Sequence, residues 1–265
     1  MGMSKPDIHP NLQLRRTSGV FDHFNEYVSG SGHLWTSATS TGTVALATTG
    51  LQEGGILLLT SGAVAGQYAA VQSTAAMWKF VAGKPMIFQT AFSYTEEASN
   101  LGVIFCGFTN DITAVLTSAT GVPIAANSGT VSACGIYKIP GDTTWSVLLI
   151  NGTTRLLVPT SSKCQNAAAM QEFIIQVMIP QANIIEATFW QGGLGAPAVT
   201  TGAPGGPTPM YPLSPGPAFQ PVKLTAALTG AAAMKCGVIS EAGTAAAAGQ
   251  ALSVDYIGTE LLSIP

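Results

Sequence analysis

The sequence predicts an all-β sandwich built on one core. Short runs of β-branched and aromatic residues recur along the chain, separated by clusters of Gly, Asn, Asp, Ser and Pro. This is the pattern of many strands joined by turns. Within Ile87–Tyr94, Phe88, Phe92 and Tyr94 fall on one face with Thr90, and Ile87, Gln89, Ala91 and Ser93 on the more polar other face, as a two-residue period requires. The chain has 265 residues with 47% hydrophobic content, enough for a single large core.

In chain order, residues 1–18 are polar and carry Pro6, Pro10 and the pair Arg15–Arg16. They read as an N-terminal arm, expected to dock on its own fold or on a neighbour. Residues 19–265 read as the sandwich domain. Strands are expected near 43–47, 55–61, 77–81, 86–94, 102–109, 131–138, 145–150, 153–158, 173–179, 184–190, 233–240 and 251–257. Asn151-Gly152 lies between two apolar runs and predicts a hairpin with a type I′ turn. Asp111–Leu116 predicts a short helical turn. Residues 194–222 are uncharged and hold eight of the sixteen prolines, so they cannot form a central strand. The segment after them is too short and Ala-rich for its own core. Residues 194–222 therefore read as a long loop inserted between strands of one domain.

Charged residues make up only 9% of the chain and the net charge is −3. Such a surface is weakly solvated and suited to burial against partners. Apart from Arg15–Arg16 the basic residues are scattered, which argues against direct nucleic-acid binding. No apolar run approaches the ~20 residues of a bilayer span, and the N-terminal residues show no secretory signal. Synthesis in a reducing cytoplasm is expected, with Cys106, Cys134, Cys164 and Cys236 reduced: Cys106, Cys134 and Cys236 sit inside apolar runs as small hydrophobes, and no C-x-x-C pair supports a zinc or redox site.

No catalytic constellation is legible, and an enzyme is not expected. Glycoside hydrolysis by a retaining route needs two carboxyls about 5–5.5 Å apart. Glu172, Glu186 and Asp255 stand alone on their expected strands, and Glu96-Glu97 are adjacent in a turn. His9, His23 and His33 all fall early, and no G-x-S-x-G elbow occurs. His9 and His23 read as arm or surface residues. No metal or cofactor motif is present. Trp78, Trp145 and Trp190 read as core residues, whereas Trp35 is less constrained. An exposed groove carrying Trp35 or Tyr68 would favour sugar binding.

Several stretches in order carry a resemblance. They are Phe21-Asp22-His23-Phe24, Gly42-Thr43-Val44, Gly55–Thr60, Met77-Trp78-Lys79-Phe80 with Gly83-Lys84-Pro85, Gly107-Phe108-Thr109-Asn110, Gly135-Ile136-Tyr137-Lys138 with Trp145, and Leu252–Ile257. Over roughly residues 19–262 the chain resembles the concanavalin A-like (LamG-like) jelly rolls encoded beside major capsid proteins in tailed bacteriophages. The resemblance implies a two-sheet antiparallel jelly-roll sandwich. It also implies a capsid decoration, or cement, protein that clamps capsomers on the outside of a phage head. The partners would be the major capsid protein and further copies of the chain, as a trimer or dimer, with host-surface glycans as a further class. The contact candidates are Pro6, Pro10, Arg15 and Arg16 in the arm, and Pro204, Pro207, Pro209, Tyr211, Pro212, Pro215 and Phe219 in the loop. Residues 194–222 depart from the family pattern, which has a shorter connection there. The alternative is a carbohydrate-binding module of a phage tail or fibre. The chain lacks the metal-binding acids of legume lectins and the clustered acids of the related glucanases, so neither property carries over with the fold.

Overall fold

The computed structural model describes residues 15–24, 26–30, 32–47, 55–95, 102–115, 131–164, 167–193, 208–209, 221–226, 232–243 and 250–263. The strands are β1 (Arg15–Asp22), β2 (Trp35–Thr39), β3 (Thr43–Leu46), β4 (Leu57–Thr60), β5 (Tyr68–Ser73), β6 (Met86–Thr95), β7 (Val103–Thr109) and β8 (Ser132–Lys138). They continue with β9 (Thr144–Asn151), β10 (Thr154–Lys163), β11 (Ala167–Gln181), β12 (Ile184–Gly193), β13 (Thr208–Pro209), β14 (Val222–Thr225), β15 (Lys235–Glu241) and β16 (Ala251–Ser263). A single 3-10 turn, Ile112–Val115, is the one helical element among the described residues.

The strands form two antiparallel sheets packed as a sandwich. The first runs β13-β12-β11-β6-β16-β4-β3, with β14 also on β12 and β1 also on β16. The second runs β10-β9-β8-β7-β15-β5-β2. β16 is central to the first sheet. One of its edges pairs with β6, and the other pairs first with β4 through residues 251–254 and then with β1 through 257–263. Inward-facing residues of the two sheets make the main core, including Phe88, Phe92, Phe173, Ile175 and Val177 opposite Trp145, Val147 and Leu149. Trp145 packs edge-on against Phe173 at 5.0 Å and Phe92 at 5.8 Å between ring centroids, geometry that aromatic pairs favour. Its Nε1–H donates to Gln171 Oε1 at 3.4 Å, keeping a buried polar atom paired.

The second sheet is covered on its outer face as well. Val103, Phe105, Tyr137, Leu148, Ile150 and Ile239 form a second cluster with Ile112 and Val115 of the 3-10 turn. β7 and β8 are consequently buried at every position. Three glycines, Gly237, Gly107 and Gly135, lie in one row across β15, β7 and β8. Gly107 has φ +149, and a Cβ there would strike the Cys134 carbonyl and the Gly135 backbone. Only glycine fits that close approach of backbones.

The structure revises several expectations. The turn after β9 is centred on Gly152-Thr153, because Asn151 pairs with Thr154 as the last rung of the ladder. Gly152 has φ +62, while neither Asn151 nor Thr153 has positive φ. That is the geometry of a type II′ turn with glycine first, where type I′ was expected. Residues 77–81 form no strand; Trp78 makes one isolated bridge to Met234. β1, β2, β5, β13 and β14 are additional strands. Arg15–Ser18, assigned to the arm, belong to β1, with Arg15 opposite Ser263 and Arg16 opposite Leu262. Thr208–Pro209 form an edge strand on β12, where a proline without an N–H is tolerated. Trp190 is half-buried opposite Pro209 and is not a core residue. Trp35 is a core residue, 3% exposed.

Candidate functional site

The end of β1 is where the sheet alternation breaks. Phe21 points outward and is 56% exposed, whereas Phe24, three residues on, is fully buried. The reversal is made at Phe24, whose φ of +52 is the only positive value at a non-glycine among the described residues. That conformation costs about 1–2 kcal/mol for an L-residue and must be held by its surroundings. Asp22 supplies the hold. Its Oδ1 accepts the Phe24 N–H at 2.8 Å, and its Oδ2 accepts the Trp35 indole N–H at 2.6 Å. The Phe24 and Trp35 rings pack at 5.5 Å, tilted by 50°. One carboxylate thus fixes the turn after β1 and the start of β2.

Beside this anchor lies an open cavity of about 260 Å³, lined by Asp22, Glu26, Val28, His33, Leu34 and Trp35. Glu26, Val28, His33 and Leu34 are exposed, whereas Trp35 is buried. Among the described residues the lining combines two carboxylates and an imidazole with two aliphatic side chains, and contains no Lys or Arg. It can accept hydrogen bonds, donate through His33 and contact apolar surface. Among the described residues, no three His, Cys, Asp or Glu side chains converge as a metal site.

On the outer face of the first sheet, the same stretch of β1 carries an aromatic group. Phe21 lies over Gly258, where a Cβ would strike its ring. It stacks on Tyr256 at 5.3 Å with 27° between planes. His23 meets both rings edge-on, and its Nδ1 is 3.7 Å from Asp255 Oδ1. Tyr256 and Glu172 both lie opposite Ala91 of β6. The small Ala91 lets the tyrosine reach across the strand, and its hydroxyl donates to Glu172 Oε1 at 2.7 Å. Burial first, and then this bond to a carboxylate, push the Tyr256 hydroxyl well above its ordinary pKa.

Of the contact candidates read from sequence, Arg15 and Arg16 lie in β1 and Pro209 in β13. Pro6, Pro10, Pro204, Pro207, Tyr211, Pro212, Pro215 and Phe219 lie outside the described residues. Sequence reasoning passed over Asp22, Glu26 and His33 as a group. The available signal was Asp22 two residues before Phe24 and thirteen before Trp35, which is weak without the fold. Tyr68, the other residue considered for a groove, is half-buried on β5 and does not line this cavity.

The two sheets, their order and the core define a concanavalin A-like jelly roll. No protein-family model matches the chain, and no curated protein matches it. Solved structures do. A protein of unknown function from Shewanella oneidensis MR-1 superposes with a TM-score of 0.53 at 11% identity, covering 99% of this chain and 96% of that one. Peanut lectin with a bound nonapeptide gives 0.54 at 11% identity, covering 94% and 99%. Lectin II from Ulex europaeus gives 0.53 at 10% identity, covering 93% and 99%. At these identities the likeness is one of fold.

Proposed function

We propose that the chain is a non-enzymatic virion protein of the decoration type, lying on the outside of a phage head and bridging capsomers. The observation that carries this reading is exposed apolar side chains at separate places on a weakly charged slab. Phe21 stands at the end of β1, Val28 and Leu34 line the cavity, and Met77, Val81 and Met178 are exposed elsewhere. On the first sheet, Phe21 and Met178 are three strands and four residues apart, about 20 Å by ordinary sheet spacings. A bridging protein needs two such surfaces, and exposed apolar area rimmed by polar groups marks contact sites. The low charge and the resemblance in motif order support the same reading. Homo-oligomerisation by closed symmetry would use one of these exposed apolar places.

The test is whether the chain is present in purified virions at a fixed copy number relative to the major shell protein. Removing residues 1–14, and separately replacing Met77, Val81 and Met178 by serine, should lower occupancy in a capsid pull-down. The deletion stops before Arg15 because removal to residue 18 would strip half of β1. Absence from virions, or full occupancy of both variants, would refute the reading.

A second reading is a carbohydrate-binding module. The exposed groove carrying Trp35 or Tyr68 that would have favoured it is not formed, since Trp35 is buried and Tyr68 lies off the cavity; it is favoured instead by the open cavity beside Trp35 and by the lectin fold of several neighbours. Binding on a glycan array would support it, and silence across the array would reject it.

A further inference from the structure

We infer that the β1–β2 cavity is the subsite for one neutral pyranose ring, with Glu26 and His33 as the groups that touch the sugar and Asp22 as the fixed acceptor beneath it. The inference rests on the second reading above and assigns that reading a place and a chemistry.

Size sets the first limit. About 260 Å³ lies just below the range of ordinary small-ligand pockets and gives room for one ring within the cavity. Charge sets the second. Among the described residues the lining has two carboxylates and no Lys or Arg, so phosphate, sulfate and carboxylate ligands are repelled. A divalent ion lacks a converging set of three ligands among the described residues. A neutral ligand rich in hydroxyl groups suits what remains. Carboxylates accept O–H donors in short, charge-assisted bonds. The His33 imidazole can both donate and accept. Val28 and Leu34, both largely exposed, offer apolar contact for the C–H face of a ring.

Preorganisation is the third argument. Each oxygen of Asp22 already accepts one bond at 2.6–2.8 Å, which fixes the carboxylate and leaves lone pairs for a ligand. A group already locked costs little to order on binding. Trp35, with its ring against Phe24 and its N–H on Asp22, does not stack on the ligand; it acts as floor and as a reporter.

The experiment follows the indole N–H resonances of the full chain in two-dimensional ¹⁵N–¹H spectra, with Trp35 assigned through Trp35→Phe. Methyl glycosides of glucose, galactose, mannose and N-acetylglucosamine are titrated to millimolar concentrations. At least one should shift the Trp35 resonance saturably, because its proton is shared with Asp22. Glu26→Gln and His33→Ala, at exposed positions, should leave the sugar-free spectrum unchanged and weaken binding about tenfold each. Glycoside binding that spares Trp35 and ignores both substitutions would overturn this site while leaving the sugar-binding reading intact. No binding by any glycoside overturns both. A Trp35 shift with methylammonium and none with glycosides would replace the sugar by a cation and overturn the inference.

Discussion

Asp22→Ala removes one carboxylate that serves two donors. The bonds to Phe24 N and Trp35 Nε1 are 2.8 and 2.6 Å long, and each is charge-assisted. Trp35 is only 3% exposed, so its indole N–H cannot turn to water. Bonds to a charged partner contribute about 1.5–3 kcal/mol each, and an orphaned buried donor costs about 1–3 kcal/mol. These effects overlap, since the orphan penalty is part of what the bond's loss measures. The expected loss is therefore about 3 kcal/mol, with the positive φ at Phe24 left unsupported. For a chain of this size that is a fall in Tm of about 6–12 °C. The assay is urea unfolding of wild type, Asp22→Ala, Trp35→Phe and the double variant. The cycle should show a coupling of about 1.5–3 kcal/mol between the two side chains. A loss below about 0.5 kcal/mol for Asp22→Ala, or no coupling in the cycle, would remove the carboxylate as the anchor of the β1–β2 turn.

Four other outcomes follow from the packing. Gly107→Ala should cost about 2–4 kcal/mol in urea unfolding, because a Cβ at φ +149 meets the Cys134 carbonyl; an unchanged midpoint would contradict the close approach. Tyr256→Phe should cost about 1–2 kcal/mol through loss of the bond to Glu172, and combining it with Glu172→Gln should add little beyond the single change. Stability should fall in alkali. Burial raises the thiols of Cys106, Cys134 and Cys236 above 9.0, the last to about 12, so the folded chain holds protons that the unfolded chain releases. Their contribution is complete below pH 9 and fades as pH rises toward 12, with each thiol costing about 1.4 kcal/mol at pH 10; a flat stability between pH 8 and 10.5 would refute it. A thiol reagent at neutral pH should label these three only at the rate of unfolding, whereas half-buried Cys164 should react faster.

The strands that were legible in the sequence are those with one or both faces in the core. β6, β7, β8, β9 and β12 all fall where apolar runs predicted them, because burial dictates their composition. The missed strands are peripheral or small-residue. Among the described strands, β2 (WTSAT) pairs only with β5 and β1 (RRTSGVFD) only with β16, so neither needs an apolar run. β5 carries Ala69 and Ala70, which fit a crowded interior without announcing a strand. Residues 77–81 misled in the opposite sense: Trp78 is buried and apolar, yet it packs from a connection. The cavity was hidden for a related reason. Its residues gain meaning only once the Asp22–Trp35 bond brings the end of β1 beside the start of β2, and that contact has no periodicity.

The placement of β16 has a bearing on how the protein is made. Residues 251–263 lie between β6, β4 and β1, so the first sheet has a gap at its centre until they arrive. A ribosome delivers those residues after every other described strand, and β1 must wait some 240 residues for β16, its one partner among the described strands. During that interval the nascent chain exposes unpaired strand edges and the apolar face of half a sandwich, the state most open to aggregation and to chaperone capture. A chain cut short just before residue 251 would lack all of β16 and would be an adhesive, unclosed slab in place of a slightly weaker protein.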